Sequence, residues 1–144
     1  MEIKKLANTI LNFGINRFIE IIGISIVIIG LLLVISLISY SPDDPNFIFP
    51  DNTEIKNFLG FRGSFISDLF FQSFGLIALL IPLSFIITGI NIFLRKKILL
   101  IIESLFFISL YSLFGSLFFT KFYPNAFELY INGNGGFVGT YLQT

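Results

Sequence analysis

Long uncharged runs alternate with short polar stretches along the whole chain. Residues 21–40 carry no charge, and at about 1.5 Å per residue they reach about 30 Å, the thickness of a bilayer's hydrocarbon layer. A second run covers 69–94, with Gln72 and Pro82 inside it, and a third covers 98–120, with Glu103 inside it. The pattern predicts an all-α membrane protein. Its architecture is an antiparallel transmembrane helix bundle with three complete spans, about 19–40, 67–94 and 98–120, and the start of a fourth at about residue 136. Upstream, Ile3, Leu6, Ala7, Ile10 and Gly14 share a face opposite Lys4, Lys5, Asn8, Asn12 and Asn16. That spacing predicts a short amphipathic helix on the membrane surface, preceding the first span. A cleaved signal peptide fits poorly, because its apolar region runs about 7–15 residues and ends at small residues.

The polar stretches set the loops and the orientation. Pro42, Pro45 and Pro50 stop the first helix, and Asp43 and Asp44 would be costly to leave in lipid, so 41–64 reads as an aqueous loop. A second loop covers 121–135, where Pro124 and glycines 133, 135 and 136 stand. Only Arg95, Lys96 and Lys97 separate the second and third spans, so those helices form a tight antiparallel hairpin. Lys and Arg hold short loops in the cytoplasm. Lys4, Lys5 and Arg17 therefore place the amino terminus inside, the Arg95–Lys97 turn is inside, and loops 41–64 and 121–135 are external.

Composition narrows the function. The chain of 144 residues is 55% hydrophobic and 12% charged, with mean hydropathy +0.90, about half the charge of an ordinary globular protein. It contains no cysteine and no histidine, which removes disulfides, thiolate sites, the usual zinc ligands and the commonest general base. Nine basic residues balance nine acidic ones, so no basic field draws nucleic acid to this segment. The glycine-rich stretch 132–139, NGNGGFVG, lacks the G-x-G-x-x-G spacing and the Lys-Ser/Thr of a phosphate loop. It reads as a flexible entry to the fourth helix, and no cofactor or metal is expected here.

Ser64, Asp68, Gln72, Gly75 and Pro82 fall near one face of the second span, which predicts packing against protein or a water-lined groove. Asp68 is also readable as an acid at the outer end of its helix, stabilising the helix amino terminus and pairing with Arg62, and that reading is preferred. The amide of Gln72 calls for another helix as partner. Pro82 should kink the span and free the carbonyl of Ala78. In the third span Ser109, Ser112, Gly115 and Ser116 form a small-residue face suited to close packing, within the chain or between copies. Glu103 is placed to reach the inner interface.

Ser41, Pro42, Asp43 and Asp44 after a first span resemble the amino-terminal membrane domain of the FtsK/SpoIIIE DNA translocases. The resemblance continues through Asn57, Gly60, Gly63 and Asp68, then Gly75 and Pro82, and ends in a GGFVG entry to a fourth span. It implies a single membrane-anchoring domain over 1–144, in the bacterial inner membrane at the division septum. It further implies a homo-oligomer in contact with other division-septum membrane proteins. The family's ATPase motor, with its ATP and magnesium, is absent from these residues, so the chain reads as a fragment ending within its fourth span, not an enzyme and without direct nucleic-acid contact. A small multi-span transporter or channel module is the alternative.

Overall fold

The structure is a computed structural model that describes residues 2–45, 54–124 and 132–144. Residues 46–53 and 125–131, part of each expected loop, lie outside the described residues. Among the described residues every regular element is helical: α1 (Glu2–Ile38), α2 (Gly60–Phe74), a 3-10 segment (Gly75–Leu79), α3 (Leu80–Arg95), α4 (Leu100–Phe122) and α5 (Gly136–Gln143). Three stretches, Glu2–Ile38, Gly60–Arg95 and Leu100–Phe122, are long and apolar enough to cross a membrane. Their outward faces are greasy, with Ile87 60%, Phe106 63% and Phe107 61% exposed. Side chains of that size left bare on several faces need lipid around them.

The expected surface helix is not a separate element. Residues 2–18 form the first turns of α1 without a break, and every one of them is exposed. Good helix formers such as Lys4, Lys5, Leu6 and Ala7 continue into the apolar run, and no proline or cap interrupts them.

Small residues bring α1 and α3 together. A Cβ on Gly89 would lie 2.6 Å from the carbonyl oxygen of Gly23, and one on Gly23 would lie 2.8 Å from that of Gly89. Seven residues further along α1, Gly30 meets the Pro82 carbonyl on α3. The two helices are therefore antiparallel and in step, with backbones in contact as small residues permit. The contact is extended by Leu33, Leu37, Phe71, Ala78, Ile81 and Ile108, which form the buried core. α4 runs back along α3, joined by Ser84 to Tyr111 (3.0 Å) and by Thr88 Oγ1 donating to Ser104 Oγ (2.6 Å). At the basic end Glu20 accepts from Arg17 at 2.5 Å and forms an ion pair with Lys96 of the α3–α4 turn. Lys96 itself adopts a left-handed conformation, with φ 56°.

The second span departs from the expected 67–94. Helix starts at Gly60 and breaks at Gly75, whose φ of 65° ends α2. Continuing the α1–α3 register places Gly75 beside Leu37, yet Gly63, twelve residues earlier, bonds to Ser36. Both ends of α2 therefore lie level with the last turns of α1, and α2 crosses the end of the bundle. The 3-10 segment with α3 is about 34 Å long by helical rise, enough to cross a hydrocarbon layer without α2. Pro82 is the third residue of α3, within its first turn, where proline is tolerated. A break in the helix stands at Gly75, seven residues before Pro82.

Gly89→Leu is expected to lower the stability of the detergent-solubilised protein by at least 1–3 kcal/mol, the scale of overpacking. Gly14→Leu, at a glycine with nothing within 4 Å, should leave the thermal melt unchanged. Equal melts for the two variants would contradict the crossing.

Candidate functional site

Helix α1 ends at Ile38 and α2 begins at Gly60, and a buried polar clasp joins them. Ser41 and Pro42 open the turn, where the Asp44 amide donates to the Ser41 carbonyl at 3.2 Å. The Asp44 carboxylate, 3% exposed, accepts from the backbone amides of Lys56 and Asn57, each at 2.8 Å. Asn57, 4% exposed, serves both helices. Its Nδ2 donates to the Ser36 and Ser39 carbonyls at 2.9 and 3.3 Å, and its Oδ1 accepts from the Leu59 amide at 3.1 Å. Without it the Ser39 carbonyl and the Leu59 amide would lack partners, and the Ser36 carbonyl would keep only Ser39 Oγ at 3.5 Å. Ser36 Oγ donates to the Gly63 carbonyl at 2.7 Å, and Ser64 Oγ to the Pro45 carbonyl at 3.0 Å. Gly63 is required because a Cβ there would overlap Asn57 Oδ1, and Gly60 takes φ 64°. Outside the clasp, Asp43 pairs with exposed Lys56 at 3.0 Å and raises the lysine above its ordinary pKa.

A second junction closes the break at Gly75. The Leu76 amide donates to the Asn134 carbonyl at 2.9 Å, and Ser116 Oγ donates to the Phe74 carbonyl at 3.0 Å. Asn134 Nδ2 donates to the Tyr123 carbonyl. Side chains at Gly135 or Gly139 would collide with Thr120 and with the Ser116 carbonyl, and one at Gly136 with the amide of Gly75. NGNGG is therefore a packed joint against α2 and α4 rather than a flexible entry.

The candidate residues divide between these joints and elsewhere. Asp68 is 7% exposed and lies in the third turn of α2, so the preferred placement at the helix amino terminus with Arg62 is corrected. Its Oδ1 instead accepts from Tyr40 at 3.3 Å and from Gln72 Nε2 at 3.5 Å. Gln72 Oε1 accepts from Asn132 at 3.1 Å, so its partner belongs to the entry of α5 and not to a neighbouring span. Ser112 and Ser116 are buried, and Gly115 packs on Ile77. Ser109 leaves that face; it is exposed and bonds to the Leu105 carbonyl at 2.8 Å. Arg95 and Lys97 are exposed at the basic end, while Lys96 is engaged with Glu20. Sequence reasoning missed Ser36, Ser39, Tyr40, Glu20, Thr120 and Asn134. Of these only Glu20, a lone acid at the edge of an uncharged run, carried a visible signal.

Asn57→Ala removes the partner of the Ser39 carbonyl and of the Leu59 amide and leaves the Ser36 carbonyl only a long contact from Ser39 Oγ at 3.5 Å. It should cost about 2–4 kcal/mol, at about 1 kcal/mol or more for each unsatisfied group, read as a lower unfolding midpoint in detergent. Lys56→Ala keeps the backbone amide that Asp44 holds and removes only an exposed pairing, so its midpoint should barely move. The reverse order would contradict the clasp.

No solved structure matches the chain. Among curated proteins it is 45% identical over 64 residues to the protein named DNA translocase FtsK of Rickettsia typhi, covering 44% of this chain and 9% of that one. With the protein of the same name from Rickettsia bellii it shares 37% identity over 87 residues, 58% of this chain and 12% of the relative. The chain thus spans about a tenth of the length of these relatives. The family model described as the 4TM region of DNA translocase FtsK/SpoIIIE matches residues 16–144, and the chain belongs to that family.

Proposed function

We propose that this bundle is the membrane anchor of a DNA translocase and holds it at the division septum of the inner membrane, with the amino terminus and the Arg95–Lys97 turn in the cytoplasm. The observation that carries the reading is the family match over residues 16–144, on a chain whose Asp44, Asn57 and Ser116 side chains join its own helices. ATP hydrolysis and DNA movement belong, on this reading, to a motor outside these residues, with its ATP and magnesium. The segment itself is a non-catalytic tether. Several tethered copies share a small area of membrane, which raises their effective concentration and favours a ring. Contacts with other septal membrane proteins would fall on the external surface, where Phe58 and Phe61 are exposed.

A transporter would need Asp68, Gln72, Pro82 and Glu103 along one path. Asp68 bonds to Tyr40 beyond the end of α1, whereas Glu103 precedes Ser104, which is joined to Thr88 in the half of α3 nearer the basic turn. Pro82 is buried against Gly30. The two acids lie at different ends of the bundle, roughly 20 Å apart by helical rise.

In a bacterium whose own translocase anchor is replaced by this domain, a fluorescent fusion should gather at midcell. The Asp68→Asn, Glu103→Gln double variant should do so equally at matched levels. Uniform membrane fluorescence of the unmodified fusion would refute the anchor. An ion flux lost on neutralising the two acids would favour the transporter.

A further inference from the structure

The clasp folds α2 over the end of α1 and leaves a groove beneath it. The groove has a volume of about 340 Å³. Its walls are Ile29, Leu32 and Leu33 of α1 with Leu59 and Ile66 at α2, and Arg62 stands among them. Gly63 stands in the same lining, where its place beside Asn57 admits no side chain. From Ser36 down to Ile29 the groove runs about 10 Å along α1, from the level of the clasp into the hydrocarbon.

Among the described residues Arg62 supplies the only charge in this lining. Three described acids of the clasp and α2 are committed elsewhere: Asp44 to two backbone amides, Asp43 to Lys56, and Asp68 to Tyr40 and Gln72. Among the described residues Arg62 has no carboxylate and no hydrogen-bond partner. An exposed guanidinium at the edge of a membrane, directly above an apolar trough, matches a molecule with a phosphate at one end and an acyl chain at the other. Guanidinium binds phosphate in a two-pronged geometry that ammonium does not reproduce.

The geometry points to a binding site for one anionic phospholipid, its phosphate on Arg62 and one acyl chain laid between Ile66 and the Ile29–Leu32 face. The leaflet is the one opposite the Arg95–Lys97 turn. This depends on the chain spanning a bilayer and is independent of what the anchor holds. A bound lipid there would fill the space under α2 and fix the angle at which α2 crosses the bundle.

The test uses the full chain in nanodiscs of equal phosphatidylcholine and phosphatidylglycerol, with retained lipid read by native mass spectrometry. Phosphatidylglycerol should be retained in preference to phosphatidylcholine. Arg62→Gln should reduce that retention about tenfold, the scale of one lost charge-assisted interaction, and Arg62→Lys should restore part of it. Leu32→Trp, which fills the groove and keeps the charge, should also reduce it, with helix content by circular dichroism matching the unmodified chain. Equal retention of both lipids, or an Arg62→Gln variant that holds phosphatidylglycerol as well as the parent, would overturn the site. So would a photo-cross-linker at Leu32 that captures a second copy of the chain or another protein instead of lipid.

Discussion

A backbone amide or carbonyl within hydrocarbon has no water to bond, so a chain may leave the helical ladder there only where protein supplies the partner. This chain leaves it twice near one end of the bundle. At the end of α1, Asn57 takes the Ser36 and Ser39 carbonyls while Asp44 takes the amides that lead into α2. At Gly75, Ser116 takes the Phe74 carbonyl and the backbone of Asn134 takes the Leu76 amide. The glycines at 63, 75, 135, 136 and 139 are what allow those partners to come close enough. Loss of either set would leave polar backbone stranded, and that requirement makes α2 lie across the bundle.

The two ends of the molecule differ in kind. One is held by neutral and carboxylate hydrogen bonds to backbone, the other by Glu20 between Arg17 and Lys96. From Glu20 to Ile38 the rise of α1 is about 27 Å, close to the thickness of the hydrocarbon layer. Between them the α1–α3 contact is nearly all glycine and aliphatic, and the α3–α4 contact is a short ladder of hydroxyls. Asp68 and Gln72, which might have lined a path, are thus absorbed in joints. This suits a domain whose work is to hold position.

How much of this was legible follows from what each signal costs. Apolar runs of twenty residues or more with at most one charge announce themselves, because lipid disfavours charge along their whole length, and the three-span all-α architecture was readable on that ground. The short turn at Arg95–Lys97 likewise forces a hairpin whatever the details. The break at Gly75 was hidden, since a glycine is tolerated within membrane helices and Pro82 looked like the stronger disruptor. Its left-handed φ depends on Ser116 and Asn134 arriving from over forty residues away. Asp68 was misplaced for a related reason: with the helix start set near residue 67 the acid looked terminal, whereas the clasp starts α2 at Gly60. Ser36 and Ser39 gave no warning, because serines near a helix end commonly bond their own chain, and only the fold shows which ones reach across.

Everything in this architecture turns on α2 crossing the end of the bundle instead of extending α3 along the membrane normal. With no native cysteine, single cysteines at Phe58, Phe61, Ile66 and Leu69 can carry nitroxide labels in lipid vesicles, and their depth can be read by collision with oxygen and with a water-soluble nickel complex. A helix lying across the bundle predicts shallow depths for all four, differing only by the face each occupies. Depths that increase steadily along the series, by about 1.5 Å per residue as for a helix aligned with the membrane normal, would contradict it.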